Sequence, residues 1–181
     1  MSARDTIFAL ATPFGASGVA MVRASGPQAW QGLQTLAGQS DFTPRQARLL
    51  ALRDPATGAL IDRAVALPFR GPESFTGEDI VEYQIHGSPA VIRLLLAALG
   101  AQQNHRPAEP GEFTRRAFEN GKMDLTAAEA VADLIHAETE AQRVQALRQM
   151  DGALARLYEG WRDELSRALA HLEADIDFPD E

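Results

Sequence analysis

The chain has 181 residues, 45% hydrophobic and 23% charged, the composition of a globular protein with a real core. It has no cysteine, which excludes disulfides, thiolate catalysis and cysteine zinc sites, and no apolar run near the roughly 18–20 residues of a membrane span. The net charge of −8 is uneven: residues 1–123 carry 12 basic and 11 acidic side chains, residues 124–181 carry 5 and 14, so the C-terminal third repels a phosphate backbone and the chain alone is a poor nucleic-acid binder.

In chain order, "MSARDTIFALATP" lacks the basic-then-apolar pattern of a secretory leader, which together with the missing cysteines fits a cytoplasmic protein. "TIFALA" and "GVAMVRA" read as strands flanking the loop "TPFGASG", itself a plain turn by its one short glycine pattern. "GPQAWQGLQTLAG" reads as a helix with Pro27 in its first turn and Gly38 near its end. "ARLLALR" and "RAVALPF" form a strand pair across "DPATGAL". "DIVEYQI" alternates as a strand, followed by the helix "SPAVIRLLLAALG" with Ser88 as N-cap and Pro89 at its first position. "PAEPGEF" is a loop and "EFTRRAFENG" a short helix stopped by glycine. Strands mixed with amphipathic helices in this order predict an α+β domain over residues 1–123.

From residue 124 the chain is helical. Thr126–Glu129 and Thr139–Gln142 have the spacing of capping boxes. The second is expected to start one long helix whose apolar stripe runs through Val144, Leu147, Leu154, Leu157, Trp161, Leu165, Leu172 and Ile176. A stripe that long needs a partner surface, so it is expected to be exposed here or covered by another subunit.

Among 16 arginines there is one lysine, Lys122 in "NGKMDL", a Gly-Lys pair just ahead of a helix start. A phosphate-binding loop would need a glycine where Arg116 stands, and a Ser or Thr where Met123 stands. The segment before it is also helical in pattern, and no dinucleotide-binding glycine fingerprint occurs elsewhere. Lys122 therefore reads as a solvated charge or as a contact to another kind of anion. Glu82, mid-strand in "IVEYQI", reads as an edge-strand solvent residue or as acceptor for a paired-donor ligand edge. Arg23 closes its strand as a surface charge or an anion contact. His86 has no metal-ligand spacing around it and reads as a hydrogen-bonding turn histidine; no catalytic Ser/His/Asp set and no metal site is assigned.

Together "DTIFALATPFGASGVAMVRASGP", "SFTGEDIVEYQIHGSP", "PGEFTRRAFENGKMDLTAAEAVADLI" and "EADIDFPDE" resemble the N-terminal region of the MnmE (TrmE) family of tRNA modification GTPases. The resemblance implies an N-terminal α+β domain similar to folate-binding, aminomethyltransferase-type domains. That domain would bind 5-formyltetrahydrofolate as one-carbon donor and form a homodimer. Residues 124–181 would be the first part of an all-α helical domain that, in the family, an inserted G domain interrupts. The family's full-length enzyme works with FAD-dependent MnmG on C5 of the wobble uridine of tRNA, hydrolysing GTP with Mg²⁺ and K⁺. The family's folate contacts fall on Arg23, Glu82 and Lys122, with Glu82 suited to the pterin's paired N–H donors and Arg23 or Lys122 to the anionic glutamate tail.

Ser17, Ser88, Glu109 and Glu119 depart from the family pattern, and Glu109 is expected to weaken an anion site nearby. With no phosphate-binding loop or Walker-type aspartate, this stretch is expected to lack GTP hydrolysis and to bind and dimerise instead. Two rival readings are a dimerisation scaffold with a degenerate folate site and a stand-alone one-carbon transferase.

Overall fold

The computed structural model describes residues 5–177 and separates into two compact units, one ending at Lys122 and one beginning at Met123. "EADIDFPDE" therefore runs beyond the described residues, as does the start of the N-terminal segment.

In the first unit, β1 (Thr6–Leu10), β2 (Ser17–Ser25), β3 (Arg48–Arg53), β4 (Leu60–Phe69), β5 (Ile80–Gly87) and β6 (His105–Pro107) form one sheet in the order β3-β4-β5-β2-β1-β6. Every pairing is antiparallel except β1 with β6. Alternation sorts the side chains: Val22, Ala24, Val81, Tyr83 and Ile85 face a core closed by helices α1 (Ala29–Ala37) and α2 (Pro89–Gly100). Trp30, Leu33 and Leu36 of α1 and Ile92, Leu95 and Leu99 of α2 recur at helical spacing, and each such side chain contributes about 1.5–3 kcal/mol by leaving water. Arg23 and Glu82 lie one residue out of phase with that set, on the opposite face of the sheet. The fully buried Tyr83 hydroxyl has no partner among the described residues, and burial pushes its pKa well above the usual tyrosine value.

The strands and helices of this unit stand close to where the sequence puts them, and the α+β class holds. Two details differ. Ser88 is the N-cap of α2, yet its hydroxyl makes no capping bond, so Pro89 alone signals the start. Strand β6 was not expected: three residues carry no pattern of their own and are held by pairing with β1, Thr6 opposite His105 and Phe8 opposite Pro107. Helix α3 (Glu112–Glu119) follows.

The second unit holds α4 (Leu125–Ile135), α5 (Glu140–Met150) and α6 (Ala153–Asp177). The cap of α4 is Asp124, whose carboxylate accepts from the Ala127 N–H at 2.9 Å; Thr126 sits inside the helix and donates to Asp124. The expected box on Thr126 is therefore a register error of two residues: aspartate outcompetes threonine for the cap. The Thr139–Gln142 box is present in full. The expected single long helix is two, because Gly152 adopts φ 78°, a left-handed conformation that ends α5 at negligible steric cost for glycine. The stripe on α6 is exposed, Trp161 by 52%, Leu165 by 71% and Ile176 by 75%. Among the described residues no helix is long and apolar enough to cross a membrane.

Candidate functional site

Strand register brings Arg23 of β2 directly opposite Glu82 of β5. The guanidinium donates from Nε at 3.0 Å and from Nη2 at 2.7 Å, both to Oε1 of Glu82, and both side chains are largely buried. Arg23 also lies over the rings of Phe75 and Phe113, at 5.3 and 5.8 Å from their centroids, within cation–π range. Neither solvent-exposed reading survives. Strand β5 is interior, with β4 and β2 on its two sides, and Arg23 is locked to a carboxylate rather than free at a strand end. Both Arg23 donors fall on one oxygen, so Oε2 of Glu82 lies outside the pair.

Glu82 and Lys122 line the same cleft, of about 440 Å³. Its apolar walls are Phe69, Phe75 and Ile80, and its polar rim adds Arg45, Glu73 and Ser74. Arg23 is bonded to Glu82 from the neighbouring strand and is not among the residues lining this cleft. A flat heteroaromatic ring fits between aromatic walls, a carboxylate accepts its N–H donors, and a cation meets its oxygens.

Lys122 reaches the cleft because two segments are stapled together. Asn120 donates its side-chain N–H to the Thr76 carbonyl at 2.7 Å, Arg116 pairs with Glu78 at 3.1 Å, and the Lys122 stem packs on Gly77, where a Cβ would sit 3.2 Å from its Cγ. Residues 76, 77 and 78 are thus each held by the 116–122 segment. Among the described residues the Lys122 ammonium has no carboxylate partner, unlike Arg23.

Behind these staples lies a charged cluster that sequence reading missed. Glu112, 2% exposed, accepts from Arg106 at 2.6 and 2.9 Å, from Arg116 at 3.1 Å and from the Glu109 N–H at 2.8 Å. The Arg106 hydrogen bonds, with those of Glu109 and Arg116, hold its carboxyl down to about 2 against the usual 4.5, despite burial pulling the other way. A depressed carboxylate stabilises the fold fully above its unfolded value and loses that contribution as pH falls. The melting temperature is therefore expected to fall as pH drops from about 4.5 through about 2, and Glu112→Gln should flatten that part of the profile in a calorimetric pH series.

Two further expectations resolve here. His86 is a hydrogen-bonding histidine, its Nδ1 2.8 Å from Asp62 Oδ1. Glu109 is ion-paired with Arg115 at 3.0 Å and does not line the cleft, so its charge is neutralised locally.

Comparison with known proteins gives matches over most of the chain. Residues 6–122 match the family model described as the N-terminus of the GTP-binding protein TrmE, and residues 125–181 match the MnmE helical domain. A tRNA modification GTPase MnmE from Parvibaculum lavamentivorans is 59% identical over 177 residues, 98% of this chain and 40% of that protein. Its counterpart in Maricaulis maris is 60% identical over 97% of this chain and 40% of its own length. The human mitochondrial 5-taurinomethyluridine-[tRNA] synthase subunit GTPB3 is 56% identical over 96% of this chain and 35% of its own. The chain thus spans about 40% of the length of the bacterial relatives it matches.

Proposed function

The chain belongs to the TrmE/MnmE family of tRNA modification GTPases, and from that premise we propose that its first unit is a folate-binding and dimerising module of such an enzyme. The ligand proposed for the cleft is 5-formyltetrahydrofolate. The observation that carries this reading is the cleft itself, which Glu82 and Lys122 line together with Phe69 and Phe75.

The roles divide by chemistry. A pterin presents N3–H and a 2-amino group side by side, and Glu82 accepts from them through the oxygen that Arg23 does not use. Arg23 is then a positioning residue: its two hydrogen bonds to one oxygen fix the orientation of the Glu82 carboxylate. Phe69 and Phe75 take the faces of the ring, and Lys122 contacts a ligand oxygen. None of these groups is poised as a general acid or base, so the module binds and presents the donor and supplies no catalytic residue.

For the whole protein we propose a homodimer that acts with MnmG on the wobble uridine of tRNA, with GTP hydrolysis, Mg²⁺ and K⁺ handled by sequence outside this stretch. The relatives' names support the tRNA-modifying and GTPase parts of that proposal, and their greater length leaves room for a GTPase domain outside this stretch. The exposed apolar face of α6 is suited to burial in the larger helical domain of such an enzyme.

Calorimetric titration of 5-formyltetrahydrofolate into this chain tests the reading. Saturable binding is expected, weakened at least about tenfold by Glu82→Ala and by Lys122→Ala, since each removes a charged hydrogen-bond partner. No heat from the native chain would turn the reading toward a dimerisation scaffold with a dead ligand site.

A further inference from the structure

Arg45 lines the same cleft as Glu82 and Lys122, and no comparison or motif singles it out. Its backbone is unusual. With φ 61° it sits in the left-handed region that non-glycine residues seldom occupy, held there by its N–H donating to the Pro68 carbonyl at 2.7 Å. That bond anchors Arg45 beside Phe69, which pairs with Ile80; Glu82 lies two residues further along β5, about 6–7 Å away. The Arg45 backbone is thereby anchored next to Phe69 of the apolar wall, and its guanidinium reaches the Glu73 carbonyl and carboxylate on the cleft's rim.

It is also incompletely used. Nη2 donates to the Glu73 carbonyl at 2.9 Å and lies 3.5 Å from the Glu73 carboxylate, and both side chains are mostly exposed. A guanidinium has five N–H donors, so this arrangement leaves several for a carboxylate ligand. The Glu73 pair is solvent-screened and weak, which makes it easy to exchange.

We infer that Arg45 recognises the anionic glutamate tail of the cleft's ligand, and that Glu73 competes with the tail for the same guanidinium. The inference rests on the folate reading above and assigns the tail to a residue that reading does not use. Glu82 fixes one end of the ligand, and Arg45, anchored next to Phe69, takes the other. Four charged groups line the cleft, Arg45, Glu73, Glu82 and Lys122, and of its two cations only Arg45 carries the planar fork that matches a carboxylate bidentately.

The test compares 5-formyltetrahydrofolate with its diamide, in which both glutamate carboxylates are carboxamides and everything else is kept. The native chain is expected to prefer the acid by about tenfold or more, the size of a charged hydrogen bond. Arg45→Ala should erase most of that preference, weakening the acid far more than the diamide, whose carboxamide oxygens accept only neutral-type hydrogen bonds, and Arg45→Lys should restore part of it. Glu73→Gln, by freeing the guanidinium, should tighten the acid about two- to fivefold and not the diamide. If the native chain binds both ligands but Arg45→Ala keeps the preference for the acid, the role of Arg45 falls and the folate reading stands. Equal loss of acid and diamide in Arg45→Ala would also overturn it, as a general disturbance of the cleft. If the native chain binds neither, the folate reading fails and takes this inference with it.

Discussion

Arg116→Ala is expected to lower the unfolding free energy by about 3–5 kcal/mol, the usual consequence of removing one member of a buried ion pair. Arg116 is only 5% exposed at its side chain and holds three acceptors at once: the Asp5 carbonyl at 2.8 Å, Glu78 at 3.1 Å and Glu112 at 3.1 Å. Truncation would leave Glu112, itself 2% exposed, with less compensation for a charge already out of water. The cost comes mainly from the reduced compensation of the buried Glu112 carboxylate, which keeps Arg106 but loses its second cation, because a well-made buried pair is itself close to break-even against an apolar replacement. Arg116→Lys should recover only part of the loss, since one ammonium cannot reproduce a fork that spans two carboxylates. Arg115→Ala is the control. Its guanidinium is half exposed and reaches Glu112 only at 3.7 Å, so a change within about 0.5 kcal/mol is expected. Urea titrations of the three variants decide it: equal effects of Arg116→Ala and Arg115→Ala would mean that the cluster is not a stabilising element.

That cluster also marks where reading the sequence stops. The strands of the sheet's centre were legible because Val22 and Ala24, or Val81, Tyr83 and Ile85, alternate with polar neighbours, and α1 and α2 because their apolar residues recur at helical spacing and proline marks the starts. Features set by contacts distant in sequence were not. Strand β6 exists through pairing with residues about a hundred positions earlier, and the segment holding Glu112 and Arg116 read only as a short helix stopped by glycine. Of the site, Arg23, Glu82 and Lys122 were all named, but as three independent contacts. Residues 59 apart gave no sign that Arg23 and Glu82 are register partners bonded to each other. Nothing local sets Arg45 apart from the other arginines, because its conformation follows from a bond to Pro68. The helix break fell at a visible residue. Gly152 lies within the expected helix, and the stripe's continuity past it argued for one helix; backbone conformation won over side-chain pattern.

Gly71→Ala should be the substitution that separates the fold of the first unit from the shape of its cleft. A Cβ at Gly71 would sit 2.6 Å from the Gly77 carbonyl oxygen and 3.2 Å from the Glu78 carbonyl carbon, and both obstacles are backbone. No rotamer change relieves a clash of that kind, so the loop from 71 to 79 has to open at its base, at about 1–3 kcal/mol by the usual cost of overpacking. The base is closed by side chains as well: Asp79 accepts from the Gly71 N–H at 3.0 Å, and Ser74 donates to the Glu78 carbonyl. Displacing it moves what the loop carries. Phe75 walls the cleft and lies over Arg23, Thr76 receives Asn120, and Gly77 supports the Lys122 stem. Core residues such as Leu33 and Ile92 lie outside this loop, so the sheet and its two helices should still assemble. Loss of 5-formyltetrahydrofolate affinity beyond about tenfold, with a lowered but still cooperative melt, is the expected pair of results. Gly18→Ala, where a Cβ meets nothing within 4 Å, should leave stability within about 0.5 kcal/mol and binding unchanged. A Gly71→Ala chain that binds like the native one would show that the 71–79 loop does not shape the cleft, and the three staples from 116, 120 and 122 would then be stability contacts alone.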